Sequence, residues 1–240
     1  MKKVLLQDSS NARILIRAAN WVGDAVMTTP VIRAVRKNYP KAHITVLAKP
    51  WVIPVYENNP YIDDIMVYDN GGRHKKGVGV LRLSQDIRHR KFDLAILMQN
   101  AFEAALLSFL SGIPERVGYN TDFRALLLNR SVRMNPALKK RHLIEYYFGI
   151  LEGVGMKPDG MNQDLFISDR DSHFAGQLLH ENGLGHGKPV IGINPGATGG
   201  TAKRWFPDRY AELCRRLADR FKIKILILRK SFSSQFKISG

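Results

Sequence analysis

Cysteine is almost absent: Cys214 stands alone in 240 residues. A lone thiol excludes an intramolecular disulfide and a cysteine-built zinc site, and it suits a reducing cytosol. Long apolar runs are missing too, and none approaches the roughly 18 residues that a membrane-spanning helix requires. The opening MKKVLLQD holds an apolar run too short for a secretory signal. The seven histidines show neither H-x-x-x-H nor H-E-x-x-H spacing, which speaks against a metal site. No G-x-S-x-G occurs, which argues against an α/β-hydrolase, and neither a Walker A loop nor G-x-G-x-x-G is present. Acidic residues are scarce, 21 against 37 Lys and Arg, for a formal net charge of +16. An excess of that size points to an anionic partner: a nucleotide, a phosphorylated glycan, a nucleic acid or an acidic membrane surface.

Short, nearly continuous Ile/Leu/Val runs are plentiful, at 13–18, 43–48, 64–69, 93–98, 189–194 and 224–229. Such runs, without polar alternation, suit parallel strands covered on both faces. Helix-like stretches separate them, at 24–38, about 78–90, 101–111, 142–154, 169–183 and 207–221. This alternation predicts a doubly wound α/β fold. Gly, Pro, Asn and Asp gather in GMKPDGMNQD and predict a domain break. The expected division is a first domain at 1–155, a linker at 156–168, the start of a second domain at 169–228 and an irregular tail at 229–240. The basic run Arg73-His74-Lys75-Lys76-Gly77 reads as a solvated surface turn.

Two segments carry candidate chemistry. In the first, the strand at 13–18 runs into Asn20-Trp21-Val22-Gly23-Asp24, which places a helix start at the carboxyl edge of the sheet. Ligands of open α/β sheets sit in that crevice. Gly23 permits a positive φ or a close backbone approach, and Asp24 lies in the first turn, where the helix dipole favours a carboxylate. Asp24 also fits a plain capping role, and Pro30 either kinks the helix or restarts it behind Thr29. In the second, the strand at 189–194 leads into Asn194-Pro195-Gly196-Ala197-Thr198-Gly199-Gly200, then Lys203-Arg204-Trp205. Small residues let backbone N–H groups approach a phosphate, Thr198 adds a hydroxyl and Lys203 a point charge. A generic surface loop is the alternative. Arg116, in GIPERVGYN at 112–120, is expected near the first crevice, and His142 reads as a capping or core histidine.

Together the two segments, in this order and a domain's length apart, resemble glycosyltransferase family 9, the lipopolysaccharide heptosyltransferases, over about residues 12–228. The resemblance implies a GT-B architecture, with a Rossmann-like N-terminal acceptor domain and a second, incomplete Rossmann-like domain for the nucleotide sugar. It implies inverting transfer of heptose from ADP-L-glycero-D-manno-heptose to the lipid-linked inner core of lipopolysaccharide. It further implies a cytoplasmic protein peripheral to the inner membrane, with no cofactor, metal or nucleic acid. Inverting transfer needs a base that takes the acceptor hydroxyl proton, and Asp24 fits that role. Lys203, Thr198 and the backbone near Gly196 would stabilise the departing diphosphate, with Gly23, Asn194 and Arg116 also binding substrate.

The family continues past the strand at 224–229 with a Gly-rich turn and a late Asp-[Ser/Thr]-Gly-x-x-His motif, whereas this sequence reads RKSFSSQFKISG there. Impaired transfer is the expectation that follows. Competing readings are a non-catalytic remnant, a basic nucleic-acid-binding α/β protein and a nicotinamide oxidoreductase. The last lacks the ribose-binding acid, because HITVLAKP carries Lys49 at that place.

Overall fold

The computed structural model describes residues 5–6, 11–75, 77–184, 187, 189–197 and 201–228. The chain divides into two units, Met1–Ile167 and Ser168–Gly240. In the first, β1 (Arg13–Arg17), β2 (His43–Ala48), β3 (Asp64–Val67), β4 (Leu94–Leu97), β5 (Glu115–Tyr119) and β6 (Arg130–Val132) form one parallel sheet. Its order is β3-β2-β1-β4-β5-β6, so the strand order reverses between β1 and β4. Arg17 pairs with Leu47 on one side and Leu97 on the other, which brings the carboxyl ends of the three central strands level.

Strands with no polar face need cover on both sides. Ile14, Ile16, Ile44, Val46, Leu94 and Ile96 point into the core beneath α1 (Val22–Asn38) and α4 (Leu143–Gly153). Leu15, Leu47, Ala95 and Leu97 point the other way, beneath α2 (Val78–His89) and α3 (Phe102–Leu110). His142 caps α4: its Nδ1 accepts from the Ile144 N–H while Glu145 accepts from the His142 N–H, a capping box.

Helix α1 runs unbroken through Pro30. Pro30 has no N–H for the Val26 carbonyl, and the Thr29 hydroxyl donates to that carbonyl instead, at 2.8 Å. Thr29 Oγ1 also accepts the Asp164 N–H at 2.9 Å. Of the segment at 156–168, expected as a linker, all but Ser168 lies in the first unit, as a strap that runs back along α1. Arg33, itself buried, donates to the Asp159 carboxylate at 2.8 Å, to Asp164, and to the carbonyls of Asp159, Gly160 and Asn162. Asn38 exchanges two hydrogen bonds with the Lys157 backbone, and Phe166 packs edge-on against Tyr61. Tertiary bonds override the loop-forming composition, and the division between units falls at 167/168.

In the basic turn Arg73, Lys75 and Gly77 are exposed as expected, and His74 is the exception. His74 is buried: its Nδ1 accepts the Asp69 N–H at 3.2 Å, and its Nε2 faces Asp86, which also pairs with Arg73. The second unit contains α5 (Asp169–Glu181), β7 (Val190–Ile193), α6 (Pro207–Phe221) and β8 (Lys224–Ile227), with β7 and β8 parallel. Ser168 caps α5 by accepting the Asp171 N–H. Among the described residues, no helix is long and apolar enough to cross a membrane.

Candidate active site

Asp24 is the third residue of α1, at the carboxyl edge of the sheet. Trp21 holds the cap position and gives no side-chain bond, so the capping role considered for Asp24 is not what the helix uses. The Asp24 carboxylate has no hydrogen bond or ion pair among the described residues. Burial without a counter-charge raises its pKa above the ordinary carboxylate value. Beneath it lie the phenols of Tyr56 and Tyr147, both raised chiefly by burial and further by the Asp24 charge; Tyr56 reaches about 12. Tyr56 is anchored to the Thr28 hydroxyl at 3.0 Å.

Gly23 is helical, and a Cβ there would meet nothing within 4 Å. No internal neighbour requires this glycine. The space over its Cα opens beside Asp24, and it leaves room for a ligand to approach the backbone.

The loop before α1 is fixed from below by Arg17, which is 2% exposed. Its guanidinium donates to the Ala18 carbonyl at 2.7 Å and to Asn20 Oδ1 at 2.9 Å, and stacks on Tyr68. The Asn20 carbonyl accepts the Trp51 indole N–H at 2.8 Å. Lys49, whose position argued against a ribose-binding acid, lies over the rings of Trp51 and Tyr68. Burial lowers the Arg17 pKa to about 10, and no carboxylate among the described residues is within ion-pair distance.

A second buried guanidinium, Arg124, follows β5 at the same edge. It donates to the Gln99 carbonyl at 2.7 Å, to Asn100 Oδ1 at 2.8 Å and to both oxygens of Thr121. Asn100 in turn donates to the Tyr146 hydroxyl. Sequence reasoning missed both arginines; the available signal was a basic residue closing an otherwise apolar strand, Arg17 after RILI.

Arg116, by contrast, lies near the amino end of β5, away from the crevice in which it was expected. Its guanidinium is committed to the carbonyls of Ile113, Pro114 and Leu127 and stacks on Phe109. The turn before β5 thus holds the Nε and Nη1 donors of Arg116 on local carbonyls.

The second-unit residues form a set of their own. Asn194 Oδ1 accepts the Gly196 N–H at 3.3 Å, so the loop after β7 begins as a side-chain-supported turn. Lys203 ends a short 3-10 turn at Thr201–Lys203, exposed and without an ion pair among the described residues. Arg204 donates to the Ala197 carbonyl at 3.3 Å, holding that turn against the loop, and Trp205 packs edge-on to Tyr210 of α6. Thr198 lies outside the described residues. No three His, Cys, Asp or Glu side chains cluster as a metal site among the described residues.

The model of glycosyltransferase family 9 (heptosyltransferase) matches residues 80–230, more than half of the sequence. The chain belongs to glycosyltransferase family 9. Lipopolysaccharide heptosyltransferase 2 of Escherichia coli is 30% identical over 214 residues, 86% of this chain and 60% of that relative. Among solved structures, the glycosyl transferase family 9 protein of Veillonella parvula superposes with a TM-score of 0.83 at 24% identity, over 94% of this chain and 64% of its own. ADP-heptose LPS heptosyltransferase II of E. coli superposes at 0.71 with 27% identity, over 90% and 63%. The family's GT-B fold class accounts for a Rossmann-like sheet followed by a second α/β unit. The chain spans about 60% of the length of the curated relatives it matches.

Proposed function

We propose that these residues belong to an inverting heptosyltransferase of lipopolysaccharide core biosynthesis, acting in the cytoplasm at the inner-membrane surface. Its donor is ADP-heptose and its acceptor a lipid-linked inner-core sugar. The observation that carries this reading is the Asp24 carboxylate: first turn of α1, carboxyl sheet edge, no partner among the described residues, pKa raised by desolvation. A general base needs that combination, since it must be free to accept a proton and more basic than a solvated carboxylate. Asp24 takes the proton of the acceptor hydroxyl as that oxygen attacks the anomeric carbon and the bond to the diphosphate breaks. Lys203 and the backbone of the Asn194–Gly196 turn supply the charge and donors that stabilise the leaving ADP. Gly23 lets the acceptor lie against the start of α1. Arg17 and Arg124 hold the two loops that shape the acceptor side.

Family membership, 30% identity to a heptosyltransferase 2 and the likeness to a heptosyltransferase II structure support the substrate class. The test is a transfer assay with ADP-heptose and a heptosylated inner-core lipid. Asp24→Asn is expected to lower kcat by at least about 10²-fold while donor KM stays within about twofold. A variant that keeps the parent rate would overturn the assignment.

A further inference from the structure

The first unit carries an apolar surface that its own fold leaves uncovered. Phe123 and Leu126, in the turn after β5, are 85% and 88% exposed. Asp122 and Phe123 both sit at positive φ, 54° and 58°, a region that costs a side-chain-bearing residue about 1–2 kcal/mol each. The buried Arg124 holds this turn through its bonds to Thr121, Gln99 and Asn100. The result is a phenyl ring and an isobutyl group projected into solvent by a strained backbone. Beside the turn, α3 is apolar nearly all round and leaves Phe102 and Phe109 exposed; neighbouring α2 adds Val78 and Leu81.

The charge on this face has one sign to spare. Arg82 and Arg88 are exposed and Arg116 is half-buried; among the described residues none of the three has a carboxylate partner, Arg88 donating to the Leu110 carbonyl and Arg116 to those of Ile113, Pro114 and Leu127. The acids nearby are engaged or singly opposed: Asp86 pairs with Arg73 and His74, Glu103 accepts from the Tyr68 hydroxyl, and Asp122 faces Arg124. Apolar side chains projecting among unneutralised arginines suit a hydrocarbon layer beneath anionic headgroups. A second copy docked face to face would set these arginines against their own images.

We infer that the outer face of α2 and α3, with Phe123 and Leu126 as its deepest points, is the surface on which the protein sits on a bilayer rich in anionic phospholipid. The inference rests on the membrane-surface reading above, and its test does not require turnover. The full chain is mixed with large unilamellar vesicles of phosphatidylcholine, with and without phosphatidylglycerol, and sedimented. Binding to the phosphatidylglycerol vesicles is expected, with more than about tenfold weaker partitioning for Phe123→Ser/Leu126→Ser. Arg82→Gln should weaken it about fivefold at low salt. Phe123→Trp should add a blue-shifted emission component on those vesicles, quenched by brominated lipid. Unchanged partitioning of the double variant, or no spectral shift at position 123, overturns the inference. So does finding that the double variant loses duplex-DNA binding or self-association instead, which would give the face to those partners. ADP titration of the same samples separates the two readings: ADP binding without vesicle binding sinks this one, and vesicle binding without ADP binding sinks the donor assignment.

Discussion

Gly23 and Asp24 are neighbours whose chemistry favours different things. A glycine inside a helix with free space above it is a stability deficit that alanine would correct, so Gly23→Ala should stabilise the protein by about 0.5 kcal/mol in urea unfolding. The same methyl should raise acceptor KM, because it occupies the room left beside Asp24. The pH profile follows from the direction of the Asp24 shift. The base works only when deprotonated, so the rate should fall as pH drops through the raised pKa. That acid limb should lie above the ordinary carboxylate range, and Asp24→Asn should abolish it. Thr29→Val, conservative in shape, should cost about 1–3 kcal/mol, since it strands both the Val26 carbonyl and the Asp164 N–H; Thr29→Ser should keep most of the stability. The position of Asp24 was legible in the sequence because a strand, a small-residue turn and an acid in the first helical turn form a local pattern. Arg17 and Arg124 were not, since burial of a guanidinium is decided by loops that pack over it. Arg116 looked equally promising by spacing, yet local carbonyls capture it.

At the scale of elements, the helices and the long strands could be read from apolar spacing, because both faces of the sheet are covered and each run is buried. The three-residue β6 was not legible: Arg130-Ser131-Val132 buries only Val132 and has no period to detect. The hold on the strap was not legible for a different reason. Arg33 lies 126 and 131 residues from Asp159 and Asp164, so nothing local announces that this Gly- and Asp-rich stretch is held. Arg33→Met should release it, giving faster thermolysin cleavage around Met161–Phe166 while the sheet stays folded. Lys37 and Arg33 hold the Asp159 pKa below the ordinary carboxylate range. A carboxylate with a depressed pKa contributes its stability above its unfolded pKa and loses it as pH falls through the folded one. Protection of the strap should therefore persist at mildly acidic pH and fail only below the usual carboxylate range.

For the whole molecule, burial is unevenly shared. The first unit buries all of β4 and all but the first residue of β1 and β2, whereas Leu184 and Ile223 are the only buried hydrophobic residues of the second among those described. Amide exchange should follow this division, with β1, β2 and β4 exchanging at least about a hundredfold more slowly than β7 and β8. Comparable protection across both sheets would show that the second unit gains cover not seen in these packing relations. The doubly wound order was foreseeable from strand–helix alternation, while the place where the first unit stops was set by the strap. The two sequestered guanidiniums at the carboxyl edge have a lasting effect. Folding has already stripped water from Arg17 and Arg124, so that dehydration is completed once in the life of each chain, and the loops they hold stand ready before any substrate arrives.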